Sequence, residues 1–262
     1  MKPLRLLAAA TLAALAFPVH AVGHLADVDV VDRSSGRTLP VFWKDGRAYV
    51  VGRPGAEYQV SVRSRRGEDL LAVMSVDGLN VMNGEAANPR QSGYVLSPWS
   101  RLDVRGWRKS LDEVAAFYFT SLGDSYAART DRPNNVGVIG VALFRRKPEP
   151  AAIPEAASPA PYEKDTRSRA ESANSDSGAG QRMQAPRAMP APSAPLGTGH
   201  GRREESRVRW VDFERASEEP AETVAIYYDS YRNLVAMGVL QPQPSARDPN
   251  PFPTAFAPDP WR

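Results

Sequence analysis

One stretch, residues 69–84 (DLLAVMSVDGLNVMNG), constrains the fold more than any other part of the chain. It opens with the run 70–76, which is apolar except for Ser75. Asp77 and Gly78 then form a turn signal, and a second, mostly apolar piece follows at 79–82. A run of this length between turn residues is typical of a strand buried on both faces. We therefore expect it to form the middle strand of a β-rich domain.

Short runs with strand character recur on both sides of this stretch, over residues 22–146. Asp45-Gly46 is a hairpin signal, and Pro40 favours an edge strand. Turn signals at intervals of about 8–12 residues predict a mainly β fold, an antiparallel β-sandwich or barrel-like domain. Besides 70–76, the expected strands lie at 26–30, 38–43, 48–51, 58–62, 94–96, 102–104, 114–119 and 136–144.

The segment 110–123 admits two interpretations. Ser110 and Glu113 form a capping box, and Gly123 is suited to end a helix. The aromatic run 117–119 (FYF) instead favours a strand. We adopt the strand.

Residues 1–21 carry the three parts of a secretory signal peptide. Lys2 and Arg5 make the start positive, 6–17 is an apolar core, and Ala21 suits cleavage. The core is shorter than the roughly 20 residues of a membrane span; an uncleaved anchor is the alternative. We expect a periplasmic or secreted bacterial protein with no later transmembrane segment. It has no cysteine and hence no disulfide.

The composition changes abruptly after the first domain. Residues 147–195 are rich in proline, alanine and serine and lack periodicity, which predicts a disordered linker. Order is expected again over 196–240, with strands at 208–213 and 223–228 and a helix at 231–237 that Ser230 caps and Gly238 ends. This segment is too short for a secure core of its own, so we expect it to pack on the first domain. Residues 241–262 form a proline-rich tail.

The charge distribution argues against a nucleic-acid partner. The formal net charge is +3, and residues 22–146 hold 17 basic and 14 acidic side chains. No segment is basic enough for an electrostatic hold on a phosphate backbone.

Several segments together resemble a family of uncharacterised exported bacterial proteins. The resemblance covers both parts expected to be ordered and omits the linker, and it implies export but no activity, substrate or catalytic residue. The segments are SVDGLNVMNGE, GYVLSPW, RGWRKSLDEVAAFYF, DSYAARTDRPNNVGVIGVALF, LGTGHG and YYDSYRNLVAMGV.

Trp99, Trp107, Arg108 and Lys109 are the candidate binding residues. Exposed aromatic side chains beside arginine suit protein interfaces and sugar faces. The simpler interpretation is that Trp107 packs in the core and Arg108 is solvated.

A metal site is a weaker candidate. Only His24 and His200 follow residue 21, so a multi-histidine or thiolate zinc site is excluded. The oxygen ligands of Asp77, Asn80, Asn83 and Glu85 bunch around one turn, which would suit calcium. Turn residues that cap their own backbone explain the same pattern.

Two short motifs suggest other chemistry. The block 123–126 (GDSY) resembles the nucleophile block of Gly-Asp-Ser-type lipases and esterases. That family also has a later Asp-x-x-His pair. Here the downstream histidine is His200, and position 197, which would be the aspartate of the pair, is glycine. A serine without a base is a weak nucleophile, and a polar turn is the simpler interpretation. The segment 197–201 (GTGHG) lacks the third glycine of a dinucleotide fingerprint, and we interpret it as a flexible hinge.

The function that these observations favour is a non-enzymatic, exported binding module without a cofactor. Its partner would be an envelope or extracellular protein, with a glycan as the second choice. Two alternatives stay open: a hydrolase whose carboxylates only the fold brings together, and a structural component of the envelope. A groove lined by two carboxylates of raised pKa would favour the enzyme, and an exposed aromatic patch would favour the binder.

Overall fold

A computed structural model describes residues 22–148 and 194–242. The predicted signal peptide, nearly all of the predicted linker and nearly all of the tail lie outside these ranges. The described chain is mainly β, as predicted, and of the two predicted architectures it forms the sandwich, since its two sheets do not close into a barrel. Its strands are β1 (Ala26–Asp32), β2 (Phe42–Lys44), β3 (Arg47–Val51), β4 (Glu57–Ser64), β5 (Leu70–Val76), β6 (Leu79–Asn80), β7 (Tyr94–Leu96), β8 (Arg101–Val104), β9 (Gly106–Arg108), β10 (Glu113–Ser121), β11 (Val138–Arg145), β12 (Leu196–Glu205) and β13 (Glu222–Asp229).

The first sheet has the order β1-β4-β10-β12, with β8 paired to β4 and β9 paired to β10. The second has the order β2-β3-β13-β11-β5-β6, with β7 also paired to β5. Side chains from both sheets meet in one hydrophobic core, including Val28, Tyr58 and Phe117 from the first and Met74 and Ile226 from the second. The fold is therefore a β-sandwich, whose core is formed by the inward-facing, alternate side chains of both sheets.

Strand β5 confirms the prediction of a strand buried on both faces. Alternate residues, Leu70, Ala72, Met74 and Val76, belong to the core between the sheets. Leu71 and Val73 point the other way and form a second apolar cluster with Ala142 and Phe144 of β11. Since strand side chains alternate between faces, this second cluster lies on the outer face of the second sheet.

The C-terminal segment packs back on the first domain, as predicted, and its strands become members of both sheets. Strand β12 pairs with β10 along most of its length. Strand β13 lies between β11, which it meets antiparallel, and β3, which it meets parallel. This parallel pair differs from the antiparallel prediction. Parallel strands need a long connection between them, and most of the chain lies between β3 and β13.

Two local predictions were wrong. Residues 208–213 are not a strand, because they have no ladder partner; Val208 packs on the core between the sheets and Phe213 on the outer cluster. Residues 197–201 are not a hinge but belong to β12. Their glycines allow close approach: a Cβ on Gly199 would lie 2.1 Å from the Tyr118 ring, and one on Gly201 would lie 2.7 Å from the Ala116 carbonyl oxygen.

The helices are short. Within the segment 110–123, residues 113–121 form strand β10, as predicted, and α1 (Tyr126–Arg129) follows after a short 3-10 turn. Helix α2 (Tyr231–Ala236) confirms the predicted C-terminal helix, with Ser230 as its N-cap and Gly238 at a positive φ of 68° beyond its end. No helix in residues 22–148 and 194–242 has the length and apolarity of a membrane span.

Candidate partner-binding groove

The connection from β12 to β13, residues 206–221, crosses from one sheet to the outer face of the other. We call it the strap. Its first part is fastened to the loop before β10, where Ser206 N donates to Asp112 O at 2.7 Å and Val208 N donates to Leu111 O at 2.8 Å. The Arg108 guanidinium adds hydrogen bonds to the carbonyl and hydroxyl oxygens of Ser206.

The last part of the strap is held by arginine side chains. Arg215 donates to the carbonyl oxygens of Pro89 and Gln91 at 2.9 and 2.7 Å. Its guanidinium lies 4.2 Å from the centre of the Phe144 ring, and that of Arg146 lies 4.7 Å from the centre of the Phe213 ring. Phe213 also packs on the outer apolar cluster. These contacts fix the strap at 213–215.

Between the two fastened ends the strap presents its side chains to solvent. Trp210 is 71% exposed and Val211 47%. Within the described part of the chain, none of the five amides of residues 209–213 donates a hydrogen bond. No turn or bend interrupts 206–214. The segment therefore offers both an aromatic side chain and unpaired backbone amides.

A groove of about 570 Å³ lies beneath this segment. Its floor comes from β5 and β7, with Leu71, Tyr94 and Val95, and its far wall from the strap. A smaller depression of about 320 Å³ adjoins it and shares Met82, Ser92, Leu111 and Trp210 with it. We call the two together the Trp210 groove.

The charged side chains that line the Trp210 groove are nearly all basic. Asp69 is its one acidic residue in the described chain, and it pairs with Arg146 at 3.0 Å. The basic lining residues are Arg90, Arg108, Lys109, Arg146, Arg209 and Arg215. The arrangement suits an anionic ligand that also carries an apolar side chain.

The structure separates the four predicted binding residues. Trp107 is 2% exposed, and its indole Nε1 donates to the Gly199 carbonyl at 3.1 Å, so its ring is part of the core. Trp99 is 68% exposed but lies outside the groove lining. Arg108 and Lys109 do line the groove, and Arg108 also donates to the Tyr94 hydroxyl. Sequence reasoning singled out these two cations but not Trp210, which lines the same groove.

Three of the four oxygen-bearing residues proposed for a metal, Asn80, Asn83 and Glu85, make hydrogen bonds to nearby residues of the same loop. Asn80 Oδ1 accepts from Met82 N at 2.7 Å, and its amide donates to Gln91. Asn83 exchanges hydrogen bonds with Glu85. Asp77 points into the interior. In residues 22–148 and 194–242 no three His, Asp or Glu side chains come together as a metal site would require.

Asp77 is fully buried and joins the two sheets. Its Oδ1 accepts from the Tyr228 hydroxyl at 2.5 Å and Gly137 N at 2.9 Å, and its Oδ2 accepts from Thr198 N at 2.7 Å. The Thr198 hydroxyl in turn contacts the hydroxyls of Tyr58 and Tyr228. Burial raises the pKa of Asp77 to about 6, although these hydrogen bonds oppose the rise.

Ser125, the serine of the esterase-like block, is a buried helix cap. Its hydroxyl donates to Leu122 O at 2.7 Å and accepts from Ala128 N at 3.1 Å. Both interactions belong to the turn into α1, which agrees with the polar-turn interpretation rather than with a nucleophile.

Replacing Ser125 with alanine is expected to lower the free energy of unfolding by about 1 kcal/mol, because the α1 amide loses its cap. Urea unfolding measures this. Ser121→Ala is the matched control, since the Ser121 hydroxyl donates to the exposed Asp124 carboxylate and caps no helix amide, and its effect should stay within about 0.5 kcal/mol. Equal effects of the two substitutions would contradict a capping role for Ser125.

Comparison of the chain with known proteins finds no matching family model, no matching curated protein and no matching solved structure.

Proposed function

We propose that this protein is an exported, non-enzymatic interaction module that binds a protein in the bacterial envelope or outside the cell. The observation that carries the proposal is the exposure of Trp210 and Val211 over the Trp210 groove. An exposed tryptophan costs free energy of hydration unless a partner covers it, and tryptophan is among the residues that most often dominate binding energy at interfaces. The proposal of export rests on residues 1–21.

The lining of the groove supports binding over hydrolysis. A carboxylate-dependent hydrolase needs two carboxyl groups facing one reacting atom. Among the described residues, Asp69 is the one carboxyl group that lines the Trp210 groove, and it forms an ion pair with Arg146. Burial raises the pKa of two carboxyl groups, Asp29 on β1 and Asp77 in the turn after β5, and neither lines the Trp210 groove. A purely structural role would leave Trp210 without a reason for its position.

Replacing Trp210 with serine is expected to weaken binding of the partner at least about tenfold, since the aromatic anchor is lost. The partner would be recovered from native envelope extract on immobilised full-length protein, purified, and its affinity measured by calorimetry.

Trp43→Ser is the matched control, because Trp43 is also an exposed tryptophan, on edge strand β2, and lies outside the groove lining. Trp43→Ser should bind like the wild type. If both variants bind like the wild type, the Trp210 groove is not the interface. If no protein is recovered in stoichiometric amount, the proposed function fails.

A further inference from the structure

The Trp210 groove concentrates positive charge on a chain that is nearly neutral. Its lining holds six basic residues and one acidic residue. The described residues as a whole hold 24 basic and 22 acidic side chains. The excess in the groove is therefore local and is not a reflection of the overall charge.

Most of the cations in the groove have no carboxylate partner within the described chain. Arg146 pairs with Asp69, and Arg90 contacts the exposed Glu218 at 3.3 Å. Arg108 and Arg215 donate to hydroxyl and carbonyl oxygens. Because these acceptors are neutral, the positive charges of the two guanidinium groups stay uncompensated. For Lys109 and Arg209, no side-chain hydrogen bond or ion pair exists in residues 22–148 and 194–242.

We propose that the Trp210 groove binds an acidic peptide segment of the partner protein, whose carboxylates face Lys109 and Arg209 and whose apolar side chain packs on Trp210. This inference rests on the proposed function and adds the chemistry of the ligand. The carboxylates of such a segment would form charge-assisted hydrogen bonds with the uncompensated cations.

The backbone of the strap favours a peptide over other polyanions. The unpaired amides of 209–213 can donate to the carbonyl groups of an extended segment, as in recognition by strand addition. Single-stranded nucleic acid is usually held by several stacking aromatic rings. Here Trp210 is the one exposed aromatic side chain in the described groove lining, because Tyr94 is buried and Phe213 packs on the outer cluster.

The test is selection of displayed random peptides of about twelve residues on the full-length protein, because that length is enough to cross the exposed part of the strap, 209–212. Peptides with a net negative charge and at least one large apolar side chain should be enriched. Their affinity should fall about tenfold or more between about 50 and about 300 mM NaCl, because screening weakens exposed charge pairs.

The variant Lys109→Glu/Arg209→Glu should lose these peptides by at least about tenfold in affinity. Arg37→Glu/Arg232→Glu is the matched control, since it makes the same change in net charge at exposed arginines outside the groove lining. Circular dichroism first establishes that all variants are folded. Heparin and a single-stranded oligonucleotide serve as competing polyanions.

Each result decides one question. If neutral or basic peptides are enriched and lost in Trp210→Ser, the groove binds a protein but the acidic ligand is wrong. If heparin or the oligonucleotide binds the groove more tightly than any peptide, the ligand class is wrong. If no enriched peptide depends on Trp210, the inference and the proposed site fall together, and the envelope-extract experiment alone then decides whether the protein is a binder at all.

Discussion

Replacing Asp77 with alanine is expected to lower the free energy of unfolding by about 3–5 kcal/mol at pH 5, the largest effect of any single substitution considered. The side chain accepts from Gly137 N and Thr198 N in the interior. Each buried amide left without an acceptor costs about 1–3 kcal/mol. Asp77 also has a positive φ of 52°, where alanine is strained by about 1 kcal/mol relative to aspartate.

Asp45→Ala is the matched control for this substitution. Asp45 begins the same Asp-Gly turn sequence and has a nearly equal φ of 49°, but it is exposed. It should therefore show only the backbone cost, about 1 kcal/mol. Urea unfolding of both variants measures the difference. A difference of less than about 1 kcal/mol would mean that the buried hydrogen bonds of Asp77 contribute little to stability.

Raising the pH from about 4 to about 7.5 is expected to destabilise the wild type by about 2–3 kcal/mol relative to Asp77→Asn. Burial raises the pKa of Asp77 from 3.8 to about 6 in the folded protein. The folded state therefore holds this proton more tightly than the unfolded state does. The stability that comes from the proton is complete below about pH 4 and is lost as the pH rises through about 6.

The comparison with Asp77→Asn isolates one group among several. The pKa of Asp29 is also raised by burial, and hydrogen bonds lower the pKa of Asp32 and Glu57, but these groups are present in both proteins and cancel. Urea midpoints over the pH range give the two curves. Parallel curves would show that Asp77 does not titrate differently in the folded and unfolded states.

Local sequence patterns predicted the parts of the fold that depend on burial periodicity and on hydrogen bonds between residues close in the chain. The run 70–76 is a doubly buried strand, and Ser230 caps α2 as predicted. Ser110 of the predicted capping box does accept hydrogen bonds with its hydroxyl, from Asp112 N and Glu113 N. It closes a turn before β10 rather than opening a helix, because Trp107 and Ala115 pair across the ladder that follows.

The candidate site could be predicted only in part. Trp107 and Trp210 each lie next to an arginine in the sequence, so composition does not tell which one is exposed. The structure buries Trp107 against Phe117 and leaves Trp210 on the strap. The mixture of apolar and polar residues in 208–213 (VRWVDF) is compatible with a strand and also with a segment outside any sheet. The presence or absence of a ladder partner decides between the two.

The sequence by itself determined the central strand, its turn, the mainly β class and the C-terminal helix, because these depend on burial and capping within a few residues. Only the tertiary structure decided that β12 and β13 enter both sheets, that Asp77 joins them at Thr198 and Tyr228, and that Lys109, Arg209 and Trp210 share one groove. The strand pairings and the hydrogen bonds of Asp77 among these join residues more than 70 positions apart. Their formation depends on long-range strand pairing, which no local periodicity encodes.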